Sequence, residues 1–336
     1  MGGKTRGASL ILCAAAALVL LGGCSSSAPP AAQATAAGGI RIAQRARGRA
    51  DGTPISLTLL VRPRFSTEVL PGERLYRLYY WSRSRRVEAF LDVPAGSGPD
   101  AGGGFSLLVG LHGGFVVPTG SHANVYCVTP TLAAESALAQ DVVFLPNYRG
   151  YCASPGVTGG AYSDYVDTVN GLKALSALRG LRITRDETYL FGASLGGFVA
   201  LDLAAHDPQV RALVLSSPYP GGQLMMQWLT SPSSGQLDRQ DLNILGALPH
   251  SYGPDQGSRA WALRSIQYQD VRQPALIIAG TEDPINPPGL MRLLYAELKR
   301  SNASDQLEFF HAGHVPETPA SKYAEFDWLY SFGLNS

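Results

Sequence analysis

Hydrophobic positions follow two rhythms along this chain, and the change falls near Pro94. Before it, "ISLTLLV", "RLYRLYYW" and "RRVEAFLDV" are short stretches rich in β-branched and aromatic residues, separated by Gly, Pro and Ser breaks. They predict antiparallel strands leading into a sheet. After it, continuous apolar runs alternate with helical patterns. "FSLLVGL" (105–111), "DVVFLPN" (141–147), "ETYLFGA", "RALVLSS", "PALIIAG" and "QLEFFHA" read as buried strands, with helices expected over 163–179, 195–206, 288–300 and 320–332. This alternation predicts the α/β class: a mostly parallel twisted sheet covered by helices on both faces, with an antiparallel N-terminal lead-in. No internal repeat is visible.

Residues 218–262 interrupt the alternation. The segment is too long for a simple connection and carries Met225, Met226 and Trp228. A lid over a pocket and a surface helix packing these residues inward both fit.

The first residues, "MGGKTRGASLILCAAAALVLLGGCSSS", have a basic start, an apolar run and then small residues. Residues 1–23 therefore read as an export signal. As a helix, the apolar run from Ala8 to Leu21 would span about 21 Å, short of the roughly 30 Å hydrocarbon core of a bilayer. Leu21-Gly22-Gly23-Cys24 resembles the bacterial lipobox, which implies lipidation of Cys24 and a protein tethered to a membrane of the cell envelope. An ordinary cleaved signal with an incidental cysteine is the alternative. Residues 24–39 have almost no bulky apolar side chains and are expected to be a flexible tether, leaving residues 40–336 as one catalytic-size domain.

Charge nearly balances, at +1 for 336 residues, so nothing points to a nucleic-acid partner. Of the four cysteines, Cys127 and Cys152 remain once the leader and Cys24 are set aside. In an exported chain they invite a disulfide, with two buried thiols as the alternative. No paired C-x-x-C and no His/Cys cluster with zinc spacing occurs, so neither metal nor cofactor is expected.

The candidate chemistry centres on "GASLGGF", residues 192–198. With 38 glycines in the chain, G-x-S-x-G alone is weak. Its setting is more specific, because Ser194 falls between a predicted strand and a predicted helix, as a nucleophile elbow requires. There the N–H of Leu195 would point to the same space as the Ser194 hydroxyl and could stabilise an oxyanion. A serine needs a base, and in this architecture acid and histidine follow it in that order. Asp283, in the loop after "PALIIAG", is the preferred acid, with Glu282 as rival. His314 is the preferred base, with His311 as rival. "LHGGF" offers a second oxyanion donor in the Gly113-Gly114 pair, with Gly114 preferred and His112 expected to be structural. Tyr148 and Arg149 would lie beside the pocket, in a structural role or in contact with substrate.

The blocks "LHGGF", "PNYRGY", "SDYVDTVNGLKAL", "LRITRDETYLFGASLGG", "AGTEDPINP" and "AGHVPE" together resemble the catalytic domain of the prolyl oligopeptidase family, from about residue 85 to 333. The resemblance implies the α/β-hydrolase fold and a serine hydrolase working through an acyl-enzyme, with Ser194, Asp283 and His314 at the matching positions. Two features depart from the family. His112 stands where some members use a tyrosine as oxyanion donor, and the residues before the hydrolase blocks leave no room for the β-propeller that restricts such enzymes to short peptides. A prolyl-oligopeptidase-like serine peptidase acting on a peptide or small molecule is the first expectation and a carboxylesterase the second. A non-catalytic envelope binding protein is the competitor from another class.

Overall fold

The computed structural model describes residues 40–44, 48–60, 73–96, 103–135, 140–235, 239–302 and 304–334. The export signal, the tether and Cys24 lie outside the described residues.

The antiparallel lead-in is a meander of β2 (Pro54–Leu59), β3 (Arg74–Ser82) and β4 (Arg85–Val93), preceded by the short β1 (Arg41–Ile42). β5 (Phe105–Leu111), α1 (Pro130–Glu135), β6 (Val142–Asn147), α2 (Ala161–Ser176), the short β7 (Leu178–Arg179), β8 (Ile183–Ala193), α3 (Leu195–His206) and β9 (Val210–Ser216) follow. Then come α4 (Gly222–Leu229), α5 (Arg239–Tyr252), α6 (Arg259–Ala262), β10 (Ala275–Gly280), α7 (Pro288–Lys299), β11 (Gln306–Phe310) and α8 (Pro319–Ser331). One sheet has the order β11-β10-β9-β8-β5-β6-β4-β3-β2. From β6 to β11 neighbouring strands are parallel, and the pairing turns antiparallel at β4. β1 and β7 form a separate antiparallel pair.

The apolar runs are continuous because both faces of the parallel part are buried. In β5, Leu107, Val109 and Leu111 belong to the core that contains Phe198 of α3 and Leu294 of α7, while Leu108 belongs to the opposite layer with Trp328 and Leu329 of α8. Two-residue alternation along the strand thus feeds two cores. Farther along the sheet, Phe90 and Val143 pack with Ala133 of α1.

Strand order reverses around β5, whose neighbours are β6 on one side and β8 on the other. In open α/β sheets a crevice forms outside the carboxyl ends of the strands at such a point. The loops after β5 and β8, containing Gly113-Gly114 and Ser194, meet there.

Within 218–262, Met225, Met226 and Trp228 are buried in the main core as part of α4. The Trp228 ring packs directly over Gly289 at the start of α7, where a Cβ would collide with it. This part of the segment is core. Tyr252, at the end of α5, donates its hydroxyl proton to the carbonyl of Val116 at 2.6 Å, joining the segment to the loop after β5. Among the described residues no helix is long and apolar enough to cross a membrane.

Candidate active site

β8 runs directly into α3 through one residue. Ser194 adopts φ 51° and ψ −117°, a left-handed value that a non-glycine residue takes only when its surroundings impose it. The imposing contacts are visible. Ser194 N–H donates to the Ser216 carbonyl at 2.9 Å, and the Ser194 carbonyl accepts from Gly197 N–H at 2.9 Å and Tyr219 N–H at 2.8 Å. Helix and strand approach so closely that a Cβ on Gly196 would overlap the Leu111 carbonyl. Leu195 N–H opens α3 and therefore has no intrahelical acceptor. It lies at the positive end of the helix, suited to a developing oxyanion.

Asp283 and His314 come together across the loops after β10 and β11. His314 Nδ1 lies 2.9 Å from Asp283 Oδ2. The aspartate side chain is fully buried and the imidazole almost so. Asp283 Oδ1 accepts from the backbone N–H of Ile285 at 2.8 Å and of Asn286 at 3.0 Å. Both carboxylate oxygens thus have partners, which compensates the burial of a charge. Nδ1 faces the carboxylate, so Nε2 is the nitrogen left to exchange protons with a substrate or nucleophile.

The rival pair takes a different position. Glu282 and His311 lie 3.7 Å from each other with side chains 65% and 86% exposed, away from the buried pair. His206 pairs with Asp202 on α3, and His250 is exposed.

Gly113 and Gly114 face different neighbours. A Cβ on Gly113 would sit 3.3 Å from Ser194 Cβ and 3.9 Å from Ser194 Oγ, whereas one on Gly114 would collide with the Tyr151 hydroxyl. Gly113 is therefore the residue against the serine, and Gly114 lies one step outward. The Tyr151 hydroxyl accepts from Phe115 N–H at 2.9 Å and so fixes the turn that follows.

His112 stacks on Tyr148, with ring centroids 4.1 Å apart. Its Nδ1 lies 2.6 Å from the Gly113 carbonyl, while Nε2 is buried without a partner. Burial lowers its pKa to about 4, against the opposing hydrogen bond. The ring is therefore neutral over the working range and acts as a wedge behind the glycine turn. Tyr148 is fully buried. Arg149 forms an ion pair with the buried Asp167 and donates to Ser82 at 3.2 Å. Arg149 thus ties the end of β6 to α2 and β3, while the Tyr148 hydroxyl donates to the His112 carbonyl at 3.3 Å and ties it to the loop after β5.

Cys127 and Cys152 form a disulfide, with Cα atoms 5.8 Å apart. Each cysteine directly follows an aromatic residue, Tyr126 or Tyr151, and Phe115 packs near both, at centroid distances of 5.6 and 6.4 Å. The bond therefore braces the wall behind the Gly113 turn. Among the described residues no group of three or more His, Cys, Asp or Glu side chains is placed to hold a metal ion.

Two residues in this region carry no recognisable sequence signature. Ser217 and Asn286 are buried beside the Asp283 and His314 loops. Their position after a strand end, in "SSPY" and "DPIN", is the sole signal the sequence offers.

Comparisons with known proteins agree with this arrangement. Residues 108–240 match the family described as Hydrolase_4, serine aminopeptidase, S33. Over 186 residues the chain is 28% identical to the α/β hydrolase domain-containing protein WAV2 of Arabidopsis thaliana, an alignment spanning 52% of this chain and 54% of that protein. The chain thus matches about half the length of that relative. An acetyl xylan esterase from Paenibacillus sp. R4 superposes with a TM-score of 0.59 at 15% identity, covering 82% of this chain and 88% of the other. The acylaminoacyl peptidase of Pyrococcus horikoshii gives 0.57 at 15% identity, covering 80% of this chain and 43% of the other. The two structural likenesses establish the fold. The chain has the α/β-hydrolase fold, and over residues 108–240 it is similar to a serine aminopeptidase family.

Proposed function

We propose that Ser194 is the nucleophile, His314 its general base and Asp283 the group that orients and charges His314, in an enzyme that hydrolyses small esters through an acyl-enzyme. The observation that carries this reading is the buried Asp283–His314 pair at 2.9 Å, on loops bonded to the residues that hold the Ser194 turn.

In the first half-reaction Ser194 Oγ adds to the carbonyl carbon of the substrate while its proton passes to His314 Nε2. The carbonyl oxygen becomes an oxyanion, received by Leu195 N–H and an N–H of the Gly113-Gly114 turn. Asp283 stabilises the imidazolium and keeps its tautomer. Collapse of the tetrahedral intermediate expels the leaving alcohol, which takes the proton from His314. Water then repeats the sequence against the acyl-enzyme, releasing the acid and restoring Ser194.

Esters are favoured on chemical grounds, since an alkoxide leaves more readily than an amine. The acetyl xylan esterase, which the chain covers almost end to end, supports the same choice. A second reading, a serine peptidase of prolyl-oligopeptidase type, draws support from the serine aminopeptidase match and from the acylaminoacyl peptidase likeness. Purified protein offered p-nitrophenyl acetate and butyrate beside a library of aminoacyl and prolyl amides separates them. Turnover of esters alone selects the carboxylesterase, and amide turnover at comparable kcat/KM selects the peptidase. Absence of both, with no fluorophosphonate labelling of Ser194, would reject the proposed site.

For location we propose a bacterial cell envelope, with the chain anchored to a membrane by lipid on Cys24. Mass spectrometry of the mature N-terminus tests it, and an unlipidated Cys24 would overturn it.

A further inference from the structure

The loop after β9 makes bonds to all three segments that bear the proposed triad. Ser217 stands one residue beyond β9, is fully buried and has φ 42°. Each of its polar groups reaches a different partner. Its N–H donates to the Ile278 carbonyl on β10 at 2.7 Å. Its carbonyl accepts from Asn286 Nδ2 at 2.8 Å, and the Asn286 N–H in turn donates to Asp283 Oδ1 at 3.0 Å. Its Oγ accepts from the N–H of Val315, the residue after His314, at 3.2 Å. The carbonyl of the preceding residue, Ser216, receives the Ser194 N–H.

Val315 shows what the Oγ contact accomplishes. It is a β-branched residue at φ 55°, a conformation that is a genuine outlier for such a side chain and persists only where neighbours over-determine it. The residue is buried, so an N–H without an acceptor would cost free energy. The Ser217 hydroxyl is that acceptor. Turning Val315 into the left-handed region sets the course of the chain on leaving His314, and with it the aim of the imidazole. Ser217 itself neither titrates nor bonds to Asp283, His314 or the Ser194 side chain.

From this geometry we infer that Ser217 is a positioning residue for hydrolysis: its Oγ holds Val315 so that His314 is registered against Ser194 while its backbone carbonyl, through Asn286, registers Asp283. The inference rests on the proposed triad and extends it by one residue.

Ser217→Gly removes the hydroxymethyl side chain without straining the backbone, since glycine adopts positive φ freely. Kinetics of this variant on an ester substrate, next to its thermal melt, provide the main test. A shift of about 1 Å in a catalytic group can cost on the order of 100-fold in rate. We expect kcat to fall by about ten- to a hundredfold, KM to stay within about twofold, and fluorophosphonate labelling to slow in parallel. A merely structural residue would lower the melting temperature and leave kcat of the folded variant untouched, which would overturn the inference. Should the variant not fold, amide exchange in the wild-type protein decides. Strong protection of Val315 N–H supports the clasp, and exchange at the rate of a surface loop removes it. If Ser194→Ala retains full labelling, the triad itself has failed. A Ser217→Gly enzyme that still needs Ser194 and turns over normally sinks this inference alone.

Discussion

The two edges of the parallel sheet are built from the same strands and differ in how their loops are held. Of the eight non-glycine residues with positive φ among those described, five lie in loops leaving the carboxyl ends of strands: Tyr126, Cys152, Ser194, Ser217 and Val315. Arg83 and Ser84 form the two-residue turn of the β3–β4 hairpin, where such angles match strand twist. At the amino edge, a cleft of about 910 Å³ opens among Leu107, Leu175, Leu181, Ile183, Thr184 and Gln209. Its lining also includes Arg182, Glu187 and Asp207 but no histidine or cysteine. Backbone strain that packing must offset marks the edge where geometry is specified, and the size of a cavity does not.

The largest effect expected at the carboxyl edge comes from separating the buried pair from its exposed rivals. His314→Ala should lower kcat by a factor of about 10³ or more, by analogy with other triads. His311→Ala and Glu282→Ala should leave it within about twofold, because surface changes away from buried networks are nearly neutral. Steady-state kinetics on p-nitrophenyl butyrate check both. A collapse of kcat in His311→Ala would reverse the assignment.

How far the sequence alone reaches can be judged at the same edge. "FSLLVGL" and "PALIIAG" announce their strands because a strand buried on both faces must be apolar throughout, and α3 begins and ends where its pattern indicates. β8 starts at Ile183, earlier than its apolar part suggests, since "TRDE" disguises the first residues and Asp186 carries positive φ. The pairing of Asp283 with His314 was legible from chain order, which follows from the order of loops along the sheet. That Gly113 and not Gly114 faces Ser194 was not legible, because adjacent glycines leave no record of backbone direction. Met225 and Trp228 were ambiguous for a related reason: a lid and a core use the same residues. Ser217 was invisible, because its role resides in three bonds to distant segments and none of them constrains the residue type in an obvious way.

The disulfide provides the next test. It joins residues 25 apart, a loop for which chain entropy predicts roughly 3 to 4 kcal/mol of stabilisation. Reduction, or Cys127→Ser with Cys152→Ser, should lower the denaturant midpoint accordingly. It should also slow turnover modestly, since Tyr151 holds the Phe115 N–H beside the glycine turn. Unchanged stability after complete reduction would mean that the brace adds nothing to the carboxyl edge.

A smaller effect is expected from pH. His112 has its folded pKa lowered by burial from 6.5 to about 4. The unfolded chain therefore binds the extra proton first, so the contribution to stability is complete above pH 6.5 and is lost as pH falls through about 4. Glu325, raised by burial to about 7, acts oppositely: stability is lost as pH rises from 4.5 through about 7. The two partly cancel between pH 4.5 and 6.5, so the diagnostic quantity is a difference between proteins. The melting temperature of wild type should fall relative to that of His112→Phe as the medium is acidified from pH 7 to 4. Parallel curves would show that His112 is not the desolvated group.

The smallest effect should come from the amino edge, with the opposite sign. Thr184 Oγ1, at the cleft, is buried without a hydrogen-bond partner. An unsatisfied buried hydroxyl pays its desolvation cost with nothing in return, about 1 to 3 kcal/mol when complete. Thr184→Val keeps both the shape and the β-branching that suit a strand, so it should raise stability by up to about 1 kcal/mol and leave kcat and KM unchanged. The comparison with Ser217→Gly is direct, since each variant deletes one buried hydroxyl from an end of a strand. At the carboxyl edge the hydroxyl has a backbone N–H to hold and its loss should be read in kcat; at the amino edge it has none and its loss should be read, if anywhere, as a higher melting temperature. A fall in kcat for Thr184→Val would mean that the two edges are coupled through β8 and that the cleft takes part in setting the elbow.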